Sequence, residues 1–295
     1  MIVVIVGPTG VGKTKLSVEL AKHFQTEIIS GDSVQVYKDL DIGSAKVTKE
    51  EMQGIKHHMI DVLNPSEDFS VALYQKMVRE QIEEFQAKGL MPLIVGGTGL
   101  YIKSVLYNYN FSETKRDHAY EKEVAHLDNE TLHKELEKKD KESAKKIHPN
   151  NRKRVLQALQ RADTHKVSSE QGKDEKVYDF LMIGLSMDRE LLYERINQRV
   201  DQMIEDGLVE EARKLYEQDI SYTAAQAIGY KELFAYFDGE LSLKEAIDLI
   251  KTKSRQYAKK QFTFFRNQFD VHWIDVDISN FDQTVEQAIQ YIEQR

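Results

Sequence analysis

The 295-residue chain contains no cysteine. That excludes disulfides and Cys-ligated zinc or iron–sulfur centres, and it fits a reducing, cytoplasmic compartment. No apolar run approaches the ~20 residues that a membrane-crossing helix requires, so no membrane partner is expected. The opening apolar run, Met1 to Val6, lacks a charged leader and ends in a glycine loop, unlike a secretory signal. The sequence also lacks an excess of positive charge: its net charge of −8 argues against an indiscriminate nucleic-acid binder. Histidines are scattered, and His57, His58, His118, His126 and His133 do not have metal-site spacing. There are no internal repeats and no low-complexity tract, and nothing points to an obligate protein partner. What is present is 41% hydrophobic residues, enough for the core of one large domain or two modest ones.

Strand and helix signals alternate through the first hundred residues. Ile2 to Val6 reads as a strand, a helix opens near Lys13, and Glu27 to Ser30 and His57 to Val62 read as further strands. Tyr74, Met77, Val78, Ile82 and Phe85 recur at helical spacing up to Gly89, which suits a C-terminal cap. The stretch "MPLIVGGTGLY" is a continuous apolar run of the kind buried in parallel sheets, with glycines at its carboxyl end. Between about Ser112 and Lys176 strand signals give way to charge-dense helical text. They return at "YDFLMIGLSM" and "VHWIDV", with a long helix between them opened by the capping box Ser242-x-x-Glu245. The expected fold is α/β: a P-loop core with a mostly parallel β-sheet flanked by helices (1–111 and 177–295), plus an inserted all-helical subdomain (112–176).

"GPTGVGKT" follows the first strand and opens the first helix, which is where a phosphate-binding loop has to be. Its glycines let backbone N–H groups turn inward at the positive end of the helix. Gly7, Pro8, Thr9, Gly10, Val11, Gly12, Lys13 and Thr14 are the candidate phosphate ligands, with Lys13 supplying charge and Thr14 a hydroxyl for magnesium. An ATP-hydrolysing P-loop protein carries an aspartate at the end of a second apolar strand, whereas that strand here ends in Gly96-Gly97-Thr98. The nearest well-placed acid is Asp32, just past the second strand. Two readings of Asp32 stand side by side: a turn cap beside Gly31 and Ser33, or a general base next to bound phosphates.

The blocks "GPTGVGKT", "SGDSVQVYKDLDIGSAK", "LIVGGTGLY", "AIGYKE" and "YAKKQFTFFR" occur in an order that resembles the tRNA dimethylallyltransferase family in its compact bacterial form, over nearly the whole chain. The resemblance implies transfer of a dimethylallyl group from dimethylallyl diphosphate to the exocyclic amine of the adenosine 3′ of the anticodon. The tRNAs concerned read codons beginning with U, and diphosphate is released. The loop would then hold a leaving group with Mg2+ rather than a spent energy source. Asp32 would take the amine proton, Thr98 would bond near the diphosphate and Asp32, and Arg213 of "LVEEARKLY" would stand on the diphosphate. The resemblance further implies an adenosine flipped out of the anticodon stem-loop, with Asp32, Ser33, Val34 and Gln35 at the base.

Two basic clusters point to RNA independently of that resemblance. Lys251 to Arg266 holds six Lys or Arg and no acid, interleaved with Tyr257, Phe262, Phe264 and Phe265. Lys145, Lys146, Arg152, Lys153 and Arg154 form the second cluster, in the insert. Arg255, Lys259, Lys260, Lys153 and Arg154 are the expected backbone contacts, and the aromatics are either base-stacking platforms or core. Competing readings are a small-molecule P-loop kinase, a transferase acting on free adenine nucleotides, and an RNA-binding module with a vestigial loop. The first two leave the basic aromatic helix idle. The third leaves Lys13, Thr14 and Asp32 without a use.

Overall fold

The first strand, β1 (Ile2–Val6), is buried along its whole length, so its two faces must both be covered. Val3 and Ile5 join a core with Leu16 and Leu20 of α1 (Lys13–His23) and Ile196 of α8 (Arg189–Glu205). Phe281, Ala288 and Ile292 of α13 (Phe281–Glu293) complete this face. Ile2 and Val4 alternate to the opposite face and are equally buried, as expected of a parallel sheet covered on both sides. The structure, a computed structural model, describes residues 1–109, 111, 120, 123–163 and 175–295. Ser112 and His118, named above from the sequence, lie outside the described residues.

Six strands pair in the order β3-β2-β4-β1-β5-β6, and every pair is parallel. The others are β2 (Ile28–Ser30), β3 (His57–His58), β4 (Leu93–Gly96), β5 (Phe180–Ser186) and β6 (His272–Asp275). β3 is shorter than the expected His57 to Val62. Met59 and Asp61 adopt left-handed backbone conformations, with φ of 63° and 55°, and these turn the chain out of the sheet. Helix α3 (Val71–Ala87) is capped by Ser70, buries Tyr74, Val78, Ile82 and Phe85, and is followed by Gly89 at φ 71°. The Ser242/Glu245 capping box opens the 26-residue helix α12 (Leu243–Gln268). Among the described residues no helix is long and apolar enough to cross a membrane.

The chain divides into two units, Met1–Leu106 with Lys176–Arg295, and Tyr107–Glu175. The described part of the second unit contains α5 (Asn129–Lys139), α6 (Lys141–Lys146) and α7 (Arg152–Asp163). Leu132, Leu136, Ala144, Val155, Leu156 and Leu159 form its own small core. Asp128 and Asp140 cap α5 and α6 through the N–H groups of Thr131 and Ser143.

Candidate active site

Register in the first unit determines what meets at the carboxyl edge of the sheet. Val6 pairs with Gly96 and Ser30 with Val95. The residues that follow, the Gly7 loop, Gly31-Asp32 and Gly97-Thr98, therefore leave neighbouring strands on the side where open parallel sheets bind ligands. The loop needs backbone that only glycine adopts without strain: Gly7, Gly10 and Gly12 have φ of 149°, 81° and 108°. Gly12 is the N-cap of α1, so the helix dipole and its unpaired N–H groups open into the loop. Thr14, in the first turn of α1, is exposed.

Lys13 Nζ donates to the carbonyls of Gly7 and Pro8 at 3.0 and 2.7 Å, folding its charge back over the loop. Burial, reinforced by the Arg199 guanidinium and opposed by Asp32, pushes Lys13 down to about 7. Arg199 on α8 donates to Thr9 Oγ1 at 3.3 Å and lies 3.5 Å from the Ala45 carbonyl. Burial lowers its pKa, with Glu51 and Asp32 working against the shift and Arg195 with it. One turn earlier, Arg195 donates to the Gly10 carbonyl at 3.1 Å. The loop thus gathers cations in a desolvated setting, where a polyanion would relieve both their burial and their mutual repulsion.

Asp32 caps the turn that one of the two sequence readings describes. Its Oδ1 accepts from the Val34 N–H at 2.8 Å and the Gln35 N–H at 3.3 Å, a tight turn that fixes the carboxylate. Among the described residues Oδ2 has no hydrogen-bond partner. The Asp32 charge is felt by Lys13, Arg199, Tyr74, Tyr101 and Tyr257, which places the carboxylate at the centre of the site. Thr98 donates to Ser33 Oγ at 3.4 Å, tying the end of β4 to the Asp32 turn. Gln35 has its side-chain amide turned onto the Ala45 carbonyl at 3.1 Å, and its Oε1 accepts from Ser30 Oγ at 3.4 Å.

Helix α12 supplies Gln261, which the sequence reading missed, and Tyr257, which it named as a stacking platform or core. The Gln261 side chain, 5% exposed, accepts from the Thr9 N–H at 3.0 Å and donates to the Gly97 carbonyl at 3.1 Å. One amide thus joins the P-loop to the end of β4. Four residues earlier, Tyr257 interacts with Thr98 and Gln261. Burial, then the Asp32 charge, push its phenol up to about 12. Gln261 was detectable as a polar residue on the apolar stripe of Ala258 and Phe265. Arg199 and Arg195 gave no comparable signal, since they lie among acids and are distinguished only by where α8 packs.

Not every expected residue converges on the loop. The Arg213 guanidinium, on α9 (Leu208–Tyr216), stacks 4.2 Å from the Phe237 ring centroid, and Arg195 and Arg199 are the arginines that meet the P-loop. Arg255 is held by Asn197 and by Thr252 Oγ1, and Lys251 pairs with Asp201 at 2.5 Å. Arg266 covers Phe262 at 4.3 Å, Phe262 packs on Trp273, and Phe265 is fully buried. Lys253, Lys259 and Lys260 are exposed, as is Arg266 beyond its stack on Phe262. In the insert Lys153 and Arg154 are exposed. Arg152 instead points inward, donating to the carbonyls of Leu127 and Val124 at 2.6 and 2.8 Å.

Comparison with known proteins identifies the family. A family model described as IPP transferase matches residues 35–268. A tRNA dimethylallyltransferase of Anoxybacillus flavithermus is 51% identical over 298 residues, covering 99% of this chain and 96% of the relative. One from Bacillus pumilus is 51% identical over 301 residues, with 99% and 95% covered. A solved tRNA isopentenylpyrophosphate transferase from Staphylococcus epidermidis superposes with a TM-score of 0.75 at 47% identity, over 100% of this chain and 99% of its own. A eukaryotic dimethylallyltransferase solved acting on tRNA gives 0.81 at 30% identity, over 100% of this chain and 80% of its own. On the extent of the family match and on these identities, the chain belongs to the IPP transferase family.

Proposed function

We propose that the protein transfers a dimethylallyl group from dimethylallyl diphosphate to the exocyclic amine of the adenosine 3′ of the anticodon, in tRNAs reading codons that begin with U. The observation that carries this is the Asp32 carboxylate: turned by its own backbone, within electrostatic reach of Lys13 and Arg199, and with one oxygen unpartnered. An allylic carbon needs chiefly a stabilised leaving group, and the loop N–H groups, Lys13 and Arg199 are arranged to accept developing negative charge on a diphosphate. The amine is a weak nucleophile, and Asp32 can take its proton as the bond forms. Thr98 and Tyr257 keep the carboxylate's surroundings ordered.

Magnesium fits this site as an ion shared with the substrate. Among the described residues no cluster of three acids or histidines forms a protein cage, whereas the exposed Thr14 hydroxyl beside the loop suits an ion completed by diphosphate oxygens and water. When bound, the ion would add charge stabilisation at the leaving group. The RNA would be followed by Lys253, Lys259 and Lys260 on α12 and by Lys153 and Arg154 on α7, and a cytoplasmic location follows from a tRNA substrate. The test is incubation of unmodified tRNA with dimethylallyl diphosphate and magnesium, then mass spectrometry of the nucleosides. One dimethylallyl addition on the adenosine 3′ of the anticodon is expected; no adduct, or a phosphorylated product, contradicts the reading.

A further inference from the structure

The block "AIGYKE" is not used by the chemistry above, and its tyrosine leads to a second device. Tyr230, fully buried at the start of α11 (Tyr230–Phe237), donates its hydroxyl to Glu211 Oε1 at 2.6 Å. The same Glu211 carboxylate, on α9, accepts three successive backbone N–H groups: Asp41 and Ile42 on Oε2 at 3.0 and 2.9 Å, and Gly43 on Oε1 at 3.0 Å. Both oxygens are therefore used twice. A run of inward-facing N–H groups is a nest for an anion, and here the protein supplies the anion itself. The Tyr230 ring lies so close to residue 43 that a Cβ there would come within 2.6 Å of Cζ, so position 43 must be glycine. Burial, then the Glu211 charge, hold the Tyr230 phenol far above its ordinary range, which keeps it a donor.

The segment so held leads directly into the site. Two residues beyond Gly43, the Ala45 carbonyl accepts from Gln35 Nε2 at 3.1 Å and faces Arg199 Nη2 at 3.5 Å. The Gln35 N–H in turn donates to Asp32 Oδ1 at 3.3 Å. Lys46, the next residue, is fastened by the Tyr37 carbonyl at 2.7 Å and by Asp61 at 2.6 Å. We propose that Glu211 and Tyr230 are positioning residues, a clamp on the 41–46 segment that sets Gln35, and through it the Asp32 turn, for proton transfer from the adenosine. The transfer part of this proposal rests on the function proposed above.

The test combines two variants with three readouts. Glu211→Gln exchanges an acceptor oxygen for an amide donor. It should slow single-turnover transfer at saturating tRNA and dimethylallyl diphosphate by about 10- to 100-fold, the loss expected for charge-assisted hydrogen bonds. It should speed deuterium exchange at the amides of 41–43, yet leave calorimetric affinity for inorganic diphosphate within about threefold, because the loop itself is untouched. Tyr230→Phe keeps the ring on Gly43 and removes one donor, so a smaller loss of about 2- to 10-fold is expected, and it tests the clamp should Glu211→Gln fail to fold. The double variant should be no slower than Glu211→Gln alone, since the two side chains act through one carboxylate. Faster exchange at 41–43 with a wild-type transfer rate would overturn the positioning role, and unchanged exchange would overturn the clamp. If the wild-type protein transfers nothing to tRNA, the proposed function fails, and exchange at 41–43 still judges the clamp.

Discussion

Two stretches of similar basic composition are put to different uses. In α12 Tyr257 and Gln261 face the candidate site and Ala258 and Phe265 are buried, while Lys253, Lys259 and Lys260 project outward. In the insert Arg152, the first residue of α7, is consumed in holding the carbonyls of Leu127 and Val124, and Lys145 pairs with Glu142 at 2.7 Å. Charge density along the sequence is alike in the two; helical phase decides which cations reach solvent. A long amphipathic helix can present a wall on one side and a charged track on the other. A small helical unit with a small core has to spend some of its cations on satisfying its own backbone.

That contrast can be broken from either side. Of the substitutions that probe this contrast, the largest effect is expected at Gln261. Gln261→Leu leaves the Thr9 N–H and the Gly97 carbonyl unpaired, and the resulting displacement of the P-loop should lower transfer by about 100-fold. A Gln261→Leu enzyme within about threefold of wild type in steady-state assay would show that α12 is not part of the site. Next is Arg152→Ala, which should loosen the insert by about 1 to 3 kcal/mol as several carbonyls lose a charged donor. Hydrogen exchange should rise across 123–163 and not in the sheet. A rise spread over both units, or none, would mean that Arg152 is not the internal brace of its unit.

Smaller still is the effect of removing the outward cations. Lys253→Ala, Lys259→Ala and Lys260→Ala together should flatten the salt dependence of tRNA binding by roughly one unit of slope for each phosphate no longer neutralised, with diphosphate affinity unchanged. An unaltered slope would assign those lysines to solubility alone. The smallest effect is a proton count. Lys13 stands at about 7 in the unliganded protein against an ordinary 10.5, so it is about half charged near pH 7 and largely uncharged only above about pH 8. The unfolded chain binds more protons between those values, so the unliganded protein gains stability as pH rises through that window. A bound diphosphate favours the charged form. At about pH 8.5 binding should therefore take up as much as one proton, seen as a buffer-dependent calorimetric enthalpy that Lys13→Ala abolishes. Identical buffer dependence in wild type and variant would place the proton elsewhere.

What the sequence made legible was what is local. The P-loop could be read because its glycine spacing sits between an apolar strand and a helix, and β1, β4 and β5 because their apolar runs are continuous. His57 to Val62 looked like one strand because alternation does not reveal that Met59 and Asp61 take left-handed backbone. The arginines show the opposite limit. Arg199 and Arg213 both lie on amphipathic helices, and only tertiary packing puts one at Thr9 and the other on Phe237. Gln261 lay between the two cases: a lone polar side chain on an apolar stripe is a visible anomaly, but its partners, 252 and 164 residues away, are not.

The central claim is that Asp32 is a base as well as a turn former, and Asp32→Asn separates those uses. Asparagine can accept the same Val34 and Gln35 N–H bonds, so the turn and the binding of each substrate should persist. It cannot take the amine proton. Single-turnover transfer at saturating tRNA and dimethylallyl diphosphate should then fall by roughly 100- to 10,000-fold, since saturation removes affinity from the comparison. A loss smaller than about tenfold would contradict the account and leave Asp32 as the cap of a turn.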